Sequence, residues 1–371
     1  MELRNSLISP EYSFTDSIVL KFTHQIKIKA DSFQTFNRPT TYNDTILIAS
    51  IKEEPGVLAL FDIKNGKYLR KISVDILIED KITSFYVHTL DSIFFLSSNN
   101  LTVTILGREG AIIKTWNSQD LGIGLSDPFV FPYFLPQYRP LYQSKLGLLH
   151  VSLIPAFFPT KSGHEDIPLQ RVFSLKQSIE KLRYGPSEGV MKLKKTGMYP
   201  ADISFPYSLV IGDTTYVSFP MDHFIYVYNN TNGSLLFKSI ASSRSVREFP
   251  LPLPEEELED TQEIWNFRVQ TPFYEPLYFH EKSKLFSRAA HHPQSLKDDM
   301  GLINAGKDRL TSVLILDKNL NVVGETIFKD GQHPIHGSIP VSDGLLFISS
   351  EPDSTIINIP HIKYEFSRKN L

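Results

Sequence analysis

Residues 341–350 read "VSDGLLFISS", and residues 89–98 read "TLDSIFFLSS". Both stretches place an Asp and a small residue before an apolar run that Ser-Ser closes. Four further stretches follow the same pattern more loosely: 42–51 ("YNDTILIASI"), 144–153 ("SKLGLLHVSL"), 211–219 ("IGDTTYVSF") and 280–289 ("HEKSKLFSRA"). A pattern that recurs every 47 to 70 residues or so indicates a repeat architecture.

A second pattern follows most copies of the first. It consists of an apolar run, a short turn rich in Asn, Asp, Gly or Lys, and another apolar run. It occupies 57–72, 101–116, 224–240 and 312–328. The pairs Asn65-Gly66 and Asn232-Gly233 supply the positive φ angles that tight hairpin turns need. Each repeat therefore predicts two β-hairpins, that is, four antiparallel strands A to D.

A single four-stranded sheet cannot bury both of its faces. Six such sheets packed radially around a centre can cover one another's faces, which is the arrangement of a β-propeller. The sequence predicts an all-β fold, a six-bladed β-propeller with four-stranded antiparallel blades, as one domain over residues 1–371. The blades are expected to begin near residues 34, 82, 127, 203, 272 and 333. The strand-like stretch 17–29 is expected to close the ring by pairing into the last blade, which removes an exposed edge. Helical periodicity is limited to 174–183 and 254–265.

The composition excludes several classes of protein. The chain of 371 residues is 41% hydrophobic and carries a net charge of −3, so no basic surface field favours a nucleic-acid partner. It has no Cys, which excludes disulfides and thiolate sites. No apolar run reaches the roughly 18–20 residues of a membrane span, and the N-terminus has no secretory apolar region. We expect no nucleic acid, no transmembrane segment and a monomer.

Four stretches carry a family resemblance: 85–97 ("FYVHTLDSIFFLS"), 272–292 ("PFYEPLYFHEKSKLFSRAAHH"), 311–325 ("TSVLILDKNLNVVGE") and 343–366 ("DGLLFISSEPDSTIINIPHIKYEF"). They resemble a Bacteroidota family of unknown function that looks like six-bladed propellers of the TolB-like kind. The likeness runs from about residue 17 to the end. Because members of that family commonly carry a lipoprotein leader, the resemblance implies a place in the periplasm or on a lipid anchor after leader removal. It implies no activity and no catalytic residues, and a cytoplasmic location is the alternative.

No metal site is predicted. One Asp recurs in four of the copies, at Asp44, Asp91, Asp213 and Asp343. These residues could form a metal ring, but an Asp side chain also caps tight turns, and their spacing of one per blade favours capping. Residues 317–325 resemble a calcium loop, yet Val322 stands where that loop needs Gly.

Catalysis is uncertain and not favoured by any motif. The chain has no G-x-S-x-G, no H-E-x-x-H and no P-loop, and the glycine-rich stretch 121–127 lacks the third Gly of a nucleotide motif. The pair His291-His292 and the stretch 333–336 ("HPIH") could bind a metal, but no second ligand pair has a recognisable spacing. We therefore predict no catalytic residue and no cofactor.

Three long insertions locate the predicted binding site. They occupy 154–171, 241–272 and 290–309, and all fall in B–C loops or D–A connections, which share one face of a propeller. The second contains the acidic run 255–260, either a solvated helix start or an electrostatic docking site. Long loops on a rigid scaffold are where binding residues concentrate.

The residues that this face gathers are rich in Arg, His and Tyr. The predicted ligand-binding residues are Arg38, Asp222, His223, Arg268, Tyr274, Arg288, His291, His292, His333 and His336. Arg and His suit an anionic group, and aromatic rings suit a sugar or a peptide. We place the centre of the site at Arg268, Arg288 and His336. The alternative is that the loops only cap the channel and that the Arg side chains pair locally with Glu and Asp.

Two functions fit this face. The first is a non-catalytic propeller of the cell envelope that binds a peptide, a glycan or an envelope protein. The second is a hydrolase or lyase with a dispersed His/Asp/Arg site. A buried His–carboxylate cluster at the channel mouth would favour the enzyme, and an open groove with aromatic side chains would favour binding.

Overall fold

The computed structural model of the chain is built almost entirely of β-strands. It describes residues 18–29, 36–51, 56–73, 82–97, 102–117, 120, 130–131, 141–152, 154–155, 170–176, 179–184, 206–254, 256–257, 260–304, 309–328, 338–346 and 356–366. Among these residues, β1 (Ile18–Lys29) comes first and stands apart from the regular repeat that follows.

Five four-stranded antiparallel sheets follow in chain order, and we call them blades one to five. Blade one contains β2 (Phe36–Tyr42), β3 (Ile46–Ile51), β4 (Val57–Asp62) and β5 (Tyr68–Ser73). Blade two contains β6 (Ile82–Thr89), β7 (Ser92–Ser97), β8 (Thr102–Leu106) and β9 (Ile112–Trp116). A separate two-stranded sheet pairs β10 (Val130–Phe131) with β13 (Ile154–Pro155). Blade three contains β11 (Leu141–Gln143), β12 (Leu148–Ser152), β14 (Gln170–Ser174) and β15 (Ile179–Tyr184).

The last two of these blades hold most of the predicted site residues. Blade four contains β16 (Tyr207–Ile211), β17 (Thr214–Ser218), β18 (Phe224–Asn229) and β19 (Leu235–Ile240). Blade five contains β20 (Phe273–His280), β21 (Leu285–His291), β22 (Thr311–Leu316) and β23 (Val322–Phe328). All seven residues of β21 and all six of β22 are buried, so this blade is covered on both faces.

A sixth four-stranded sheet joins the two ends of the described chain. It combines β24 (Ile339–Val341), β25 (Gly344–Leu346) and β26 (Ile356–Phe366) with β1, in the order β1–β26–β25–β24. The prediction of an all-β, propeller-like fold with four-stranded antiparallel blades is confirmed. Within the described residues, the structure has five blades of consecutive strands rather than the six predicted, because the last repeat supplies three strands and shares its sheet with β1.

The repeated phrases form the predicted turns. In blade one, Asn43 and Asp44 turn between β2 and β3 with φ of 49° and 54°. At the C–D turns, Gly66 and Gly233 adopt φ of 67° and 70°, and each N–H donates over 2.8 Å to the residue four positions earlier. Turn chemistry therefore fixes strand pairing in these blades.

The repeated Asp side chains also connect parts of the fold beyond their own turns. The Asp44 carboxylate accepts the backbone N–H of Ser342 in the sixth sheet over 2.9 Å. Asp91 forms an ion pair with the Arg108 Nε over 2.9 Å, and Asp343 faces the Lys282 Nζ of blade five at 4.0 Å. Each of these three carboxylates thus has its own partner, which agrees with a structural role for Asp44, Asp91 and Asp343.

Apolar side chains fill the interfaces between successive sheets. The clusters that span these interfaces contain Leu60 with Phe95, Phe94 with Phe173, Val172 with Tyr228, Val227 with Phe286, and Val313 with Leu345. Burial of one such side chain contributes about 1.5–3 kcal/mol, so these interfaces are a main source of stability.

The long insertions lie where the strand order places B–C loops and D–A connections. The connection from β19 to β20 contains α1 (Thr261–Gln270), whose N-cap Asp260 accepts the N–H groups of Gln262 and Glu263. Such a cap satisfies helix N–H groups that otherwise lack partners. The loop between β21 and β22 is the second described insertion, while most of 154–171 lies outside the described residues.

Three local predictions were wrong. The helix begins at Thr261 rather than near residue 254, because the capping residue is Asp260. The described residues of the stretch 174–183 are not helical, since β14 and β15 pair there and Val172 lies opposite Leu182. Blade three begins at Leu141 rather than near 127, because the strand at 130–131 belongs to the separate two-stranded sheet.

Candidate functional site

Arg288 organises the loop between β17 and β18 from the neighbouring blade. Its side chain in β21 is completely buried. The guanidinium donates to the carbonyl oxygens of Phe219 (2.7 Å) and Asp222 (2.8 Å). Longer contacts of 3.5 Å reach the carbonyl oxygens of His223 and Ala241. One planar cation thus satisfies several carbonyl groups in the B–C loop of blade four and at the start of its D–A connection.

The same guanidinium lies on the ring of Tyr274, with its central carbon 3.9 Å from the ring centroid. Burial lowers the pKa of Arg288 to about 10, so the side chain stays cationic at neutral pH. Burial raises the pKa of the Tyr274 phenol to about 12. The pair is a cation–π contact without solvent, which is where such contacts are strongest.

His223 completes this cluster from the B–C loop of blade four. Its Nδ1 lies 2.9 Å from the Tyr274 hydroxyl, which also accepts the N–H of Ser243 over 3.1 Å. Phe249 covers the imidazole with ring centroids 4.8 Å apart. Burial, followed by the nearby charge of Arg288, lowers the pKa of His223 to about 4, so the ring is neutral at physiological pH.

Glu325 is the buried carboxylate at the centre of a second polar network. Its Oε1 accepts the hydroxyls of Ser243 (2.6 Å) and Ser312 (2.7 Å), and its Oε2 accepts the Arg244 N–H (3.1 Å). His292 Nε2 lies 3.0 Å from the Ser312 hydroxyl. Because Ser312 gives its one proton to Glu325, the His292 Nε2 must be the donor in that contact.

This order of groups does not activate a nucleophile. In a Ser–His–acid relay the His lies between the serine and the acid, whereas here Ser312 lies between His292 and Glu325. Both Ser312 and Glu325 are buried. Burial lowers the pKa of His292, with the Glu325 charge opposing it. The network ties the D–A connection at Ser243 to β22 and β23.

A buried His–carboxylate contact joins β20 and β21. The Nε2 of His291 lies 3.0 Å from the Oε1 of Glu275, and both side chains are less than a tenth exposed. Phe273 stacks on the imidazole, with centroids 4.1 Å apart and planes at 18°. Within the described part of the chain, no three His, Asp or Glu side chains are grouped as a metal site.

Arg309 attaches α1 to blade five. It is buried, and its guanidinium donates to the carbonyl oxygens of Thr271 (2.8 Å), Arg268 (2.7 Å) and Val269. These are carbonyl groups at the C-terminal end of the helix, where a cation is favoured. Burial lowers the pKa of Arg309 to about 10, which leaves it charged at neutral pH.

The opposite end of α1 borders an open groove of about 910 Å³, which we call the Trp265 groove. Its lining residues are Glu256, Asp260, Thr261, Gln262 and Trp265. The Trp265 side chain is 46% exposed, whereas the chain's other tryptophan, Trp116, is buried. The groove lies on the D–A connection that contains the acidic run.

The structure brings together only part of the predicted site. Asp222, His223, Tyr274 and Arg288 form one cluster, and His291 and His292 lie in the adjoining networks. Arg268 lies in the last turn of α1 and is partly buried. The Arg38 side chain, His333 and His336 lie outside the described residues.

Arg288 is completely buried, and its role as the centre of a ligand site stays a prediction. Its described contacts include backbone carbonyl oxygens and the ring of Tyr274. The ligand-binding role of the other predicted residues stays a prediction.

Four residues of these clusters were not found from the sequence: Glu275, Glu325, Arg309 and Trp265. Glu275 and Glu325 lie in strands whose alternation gives no sign that a carboxylate faces inward. Arg309 lies at the end of a long insertion, and only the tertiary contact with α1 gives it a role. Trp265 had a usable signal, because it follows the acidic run of a predicted D–A connection.

Comparison with known proteins identifies the family. No curated protein sequence matches the chain. A crystal structure of a DUF4221 family member from Bacteroides vulgatus superimposes with a TM-score of 0.72 at 14% identity, over 95% of this chain and 100% of that one. Raptor from Chaetomium thermophilum gives a TM-score of 0.46 at 11% identity, over 94% of this chain and 29% of that one.

The family model described as "Domain of unknown function (DUF4221)" matches residues 54–327, which is most of the chain. The chain therefore belongs to this family, and the resemblance to a family of unknown function with a Bacteroides member is confirmed. At 14% identity, the similarity to the Bacteroides structure shows a shared fold and nothing about a ligand.

Proposed function

We propose that this member of the DUF4221 family is a non-catalytic binding propeller of the bacterial cell envelope. It holds a peptide, a glycan or an envelope protein on the face formed by the B–C loops and D–A connections. The observation that carries this proposal is the Trp265 groove, an open groove with an exposed indole on a connection that is fixed to the blades. Long connections on a rigid scaffold are the usual position of binding residues in such folds.

The rigidity of this face supports binding. Arg309 holds the C-terminal end of α1, and Glu325 holds the connection at Ser243 and Arg244. A connection whose backbone is fixed in this way loses little conformational entropy when a partner binds. The Trp265 side chain is therefore presented from a preorganised element.

Within the part of the chain that the structure describes, the buried polar clusters give the enzymatic alternative no accessible site. The His291–Glu275 pair is the kind of His–carboxylate contact that would favour an enzyme. Both partners are buried, and Phe273 covers the imidazole. A reacting group would have to displace this packing before it could reach either side chain.

We also propose that the sixth sheet acts as a sixth blade and closes a ring, in the manner of six-bladed TolB-like propellers. Eleven positions of β1 pair with β26, so the N-terminal strand occupies the edge of that sheet. Thr41 in blade one donates to the carbonyl of Pro340 over 3.1 Å, which connects the first blade to the last sheet. A closed ring gives the binding face a fixed shape.

An envelope location is a proposal that follows from the family resemblance. Among the described residues, no helix has the length and apolar character needed to cross a bilayer. Cell fractionation with an antibody against the native protein tests the location. Recovery in the periplasmic or membrane fraction supports it, and recovery only with cytoplasmic markers contradicts it.

The binding proposal is tested on an array of oligosaccharides and synthetic peptides. Intact protein is compared with Trp265→Ala and with Lys318→Ala, a control at the exposed C–D turn of blade five. We expect at least one probe whose binding is lost in Trp265→Ala and retained in Lys318→Ala, with unchanged melting temperatures. If Trp265→Ala leaves every bound probe unaffected, the groove is not the binding site.

A further inference from the structure

The Trp265 groove is lined mainly by groups that accept hydrogen bonds. Glu256 and Asp260 contribute carboxylates, and Thr261 contributes a hydroxyl. The Gln262 side chain donates from Nε2 to the Asn266 Oδ1 over 2.8 Å, so part of its donor capacity is used within the helix and its amide oxygen remains an acceptor. None of the five described residues that line the groove is basic. A ligand that offers many donors and no acceptors complements such a surface.

Lys and Arg side chains have this property, because both carry only donors and a positive charge. The exposed indole of Trp265 adds a second attraction, since tryptophan is the best aromatic partner for a cation. From the charge complementarity and the exposed ring together, we infer that the groove recognises a Lys or Arg side chain in an extended peptide segment of a partner protein. This inference rests on the proposed binding function.

The partial positive charge at the N-terminus of α1 repels a cation, so its magnitude must be compared with the charge of the lining carboxylates. The free N–H groups of a helix are equivalent to about half a positive charge. In α1, part of that charge is neutralised because Asp260 accepts the N–H groups of Gln262 (2.7 Å) and Glu263 (3.4 Å). The two lining carboxylates carry two full negative charges, so the field at the groove stays negative.

The size of the groove favours a peptide over a free amine. A volume of about 910 Å³ is near the upper end of the usual range for small-molecule pockets, and this groove is open to solvent. An extended segment can place one cationic side chain on Trp265 and leave its backbone near Gln262 and Thr261.

The test uses calorimetry with two synthetic octapeptides, one that alternates Lys with Gly and Ser and one with Glu in place of Lys. The protein variants are Trp265→Ala and the double variant Glu256→Gln/Asp260→Asn. Asn caps a helix about as well as Asp, so the double variant removes charge without removing the cap. Glu281→Gln, at an exposed A–B turn of blade five, is the matched control for loss of charge.

We expect the Lys peptide to bind the native protein and the Glu peptide not to bind. Affinity for the Lys peptide should fall about tenfold in the double variant and in Trp265→Ala, and less than about twofold in Glu281→Gln. Equal binding of the two peptides, or unchanged affinity in the double variant, would overturn the inference. If the Lys peptide does not bind but an uncharged array probe still depends on Trp265, the inference fails and the proposed function stands. If nothing depends on Trp265, both fail.

Discussion

Arg288 and Arg309 are buried cations that donate to backbone carbonyl oxygens. Arg288 lies in β21 and fixes the B–C loop of blade four at 219–223. Arg309 lies at the end of the loop before β22 and fixes the C-terminal end of α1. A buried guanidinium costs several kcal/mol to desolvate unless its donors are satisfied, which explains why each faces several carbonyl groups. At the residue scale, these side chains fix the backbone of the B–C loop of blade four and the C-terminal end of α1.

Replacement of Arg288 should show this structural role. We expect Arg288→Lys to lower the free energy of unfolding by about 2–4 kcal/mol, because an ammonium cannot reproduce the planar set of donors. The exposed control Arg108→Lys, which leaves its pairing with Asp91 possible, should change it by less than about 1 kcal/mol. Urea denaturation measures both. Unchanged stability in Arg288→Lys with lost array binding would show instead that Arg288 acts on the ligand.

His150 makes a prediction about pH. It is buried in β12, and neither ring nitrogen has a hydrogen-bond partner among the described residues. Burial lowers its pKa to about 4, below the value in the unfolded chain. The folded state therefore binds fewer protons, and the stability linked to neutral His150 is lost as pH falls from about 6.5 towards 4.

We expect the free energy of unfolding of the native protein to fall between about pH 7 and pH 4. In His150→Phe the decline should be smaller than in the native protein, and the difference should reach up to about 3 kcal/mol. Part of the decline remains, because burial also lowers the pKa of His223 and His280 to about 4. Urea denaturation across this range measures the difference. Parallel pH profiles for the two proteins would contradict the burial of a neutral His150.

At the scale of elements, α1 is held by its two ends. Asp260 caps the N-terminus and Arg309 binds the carbonyl groups at the C-terminus, while Val269 is the buried residue of the helix. With so few buried contacts, a helix of this length gains little from its own propensity and depends on these attachments. Because residues of α1 line the Trp265 groove, the shape of the groove depends on the same attachments.

The change Arg309→Ala should loosen the helix more than the rest of the fold. We expect faster amide hydrogen exchange over residues 261–271 and a loss of about 1–3 kcal/mol in the free energy of unfolding, since three carbonyl groups lose their donor. Arg247→Ala, an exposed arginine on the same connection, is the control. Exchange over α1 that is unchanged in Arg309→Ala would mean that other contacts hold the helix.

How far the sequence predicts each element depends on whether its signal is local. The hairpins are predictable because Gly66 and Gly233 need positive φ at fixed turn positions. The stretch 174–183 has helix-like apolar spacing, but strand pairing with β14 determines its structure, and that pairing is not local. Glu325 and Arg309 have no local signal, since their partners lie on other elements. The sequence therefore predicts the hairpins and the placement of the long connections, but not the buried polar contacts that hold those connections.

At the scale of the whole molecule, the proposed closure of the ring depends on β1. It pairs with β26 from Ile18↔Phe366 to Lys29↔Ile356, so its removal exposes the edge of the sixth sheet. We expect a variant without residues 1–29 to melt at least about 10 °C lower than one without residues 1–16. Addition of a synthetic peptide of residues 17–29 should recover part of the loss. Equal melting temperatures for the two truncations would contradict ring closure by β1.

The central claim is that the long connections, and not the tight turns, form the binding face. Hydrogen–deuterium exchange of the intact protein, with and without the tightest-binding probe of the oligosaccharide and peptide array, tests it most directly. The account predicts protection in the connections at 241–272 and 290–309 and none at the C–D turns at 62–67 and 229–234. Protection at those turns, with both connections unchanged, would contradict it.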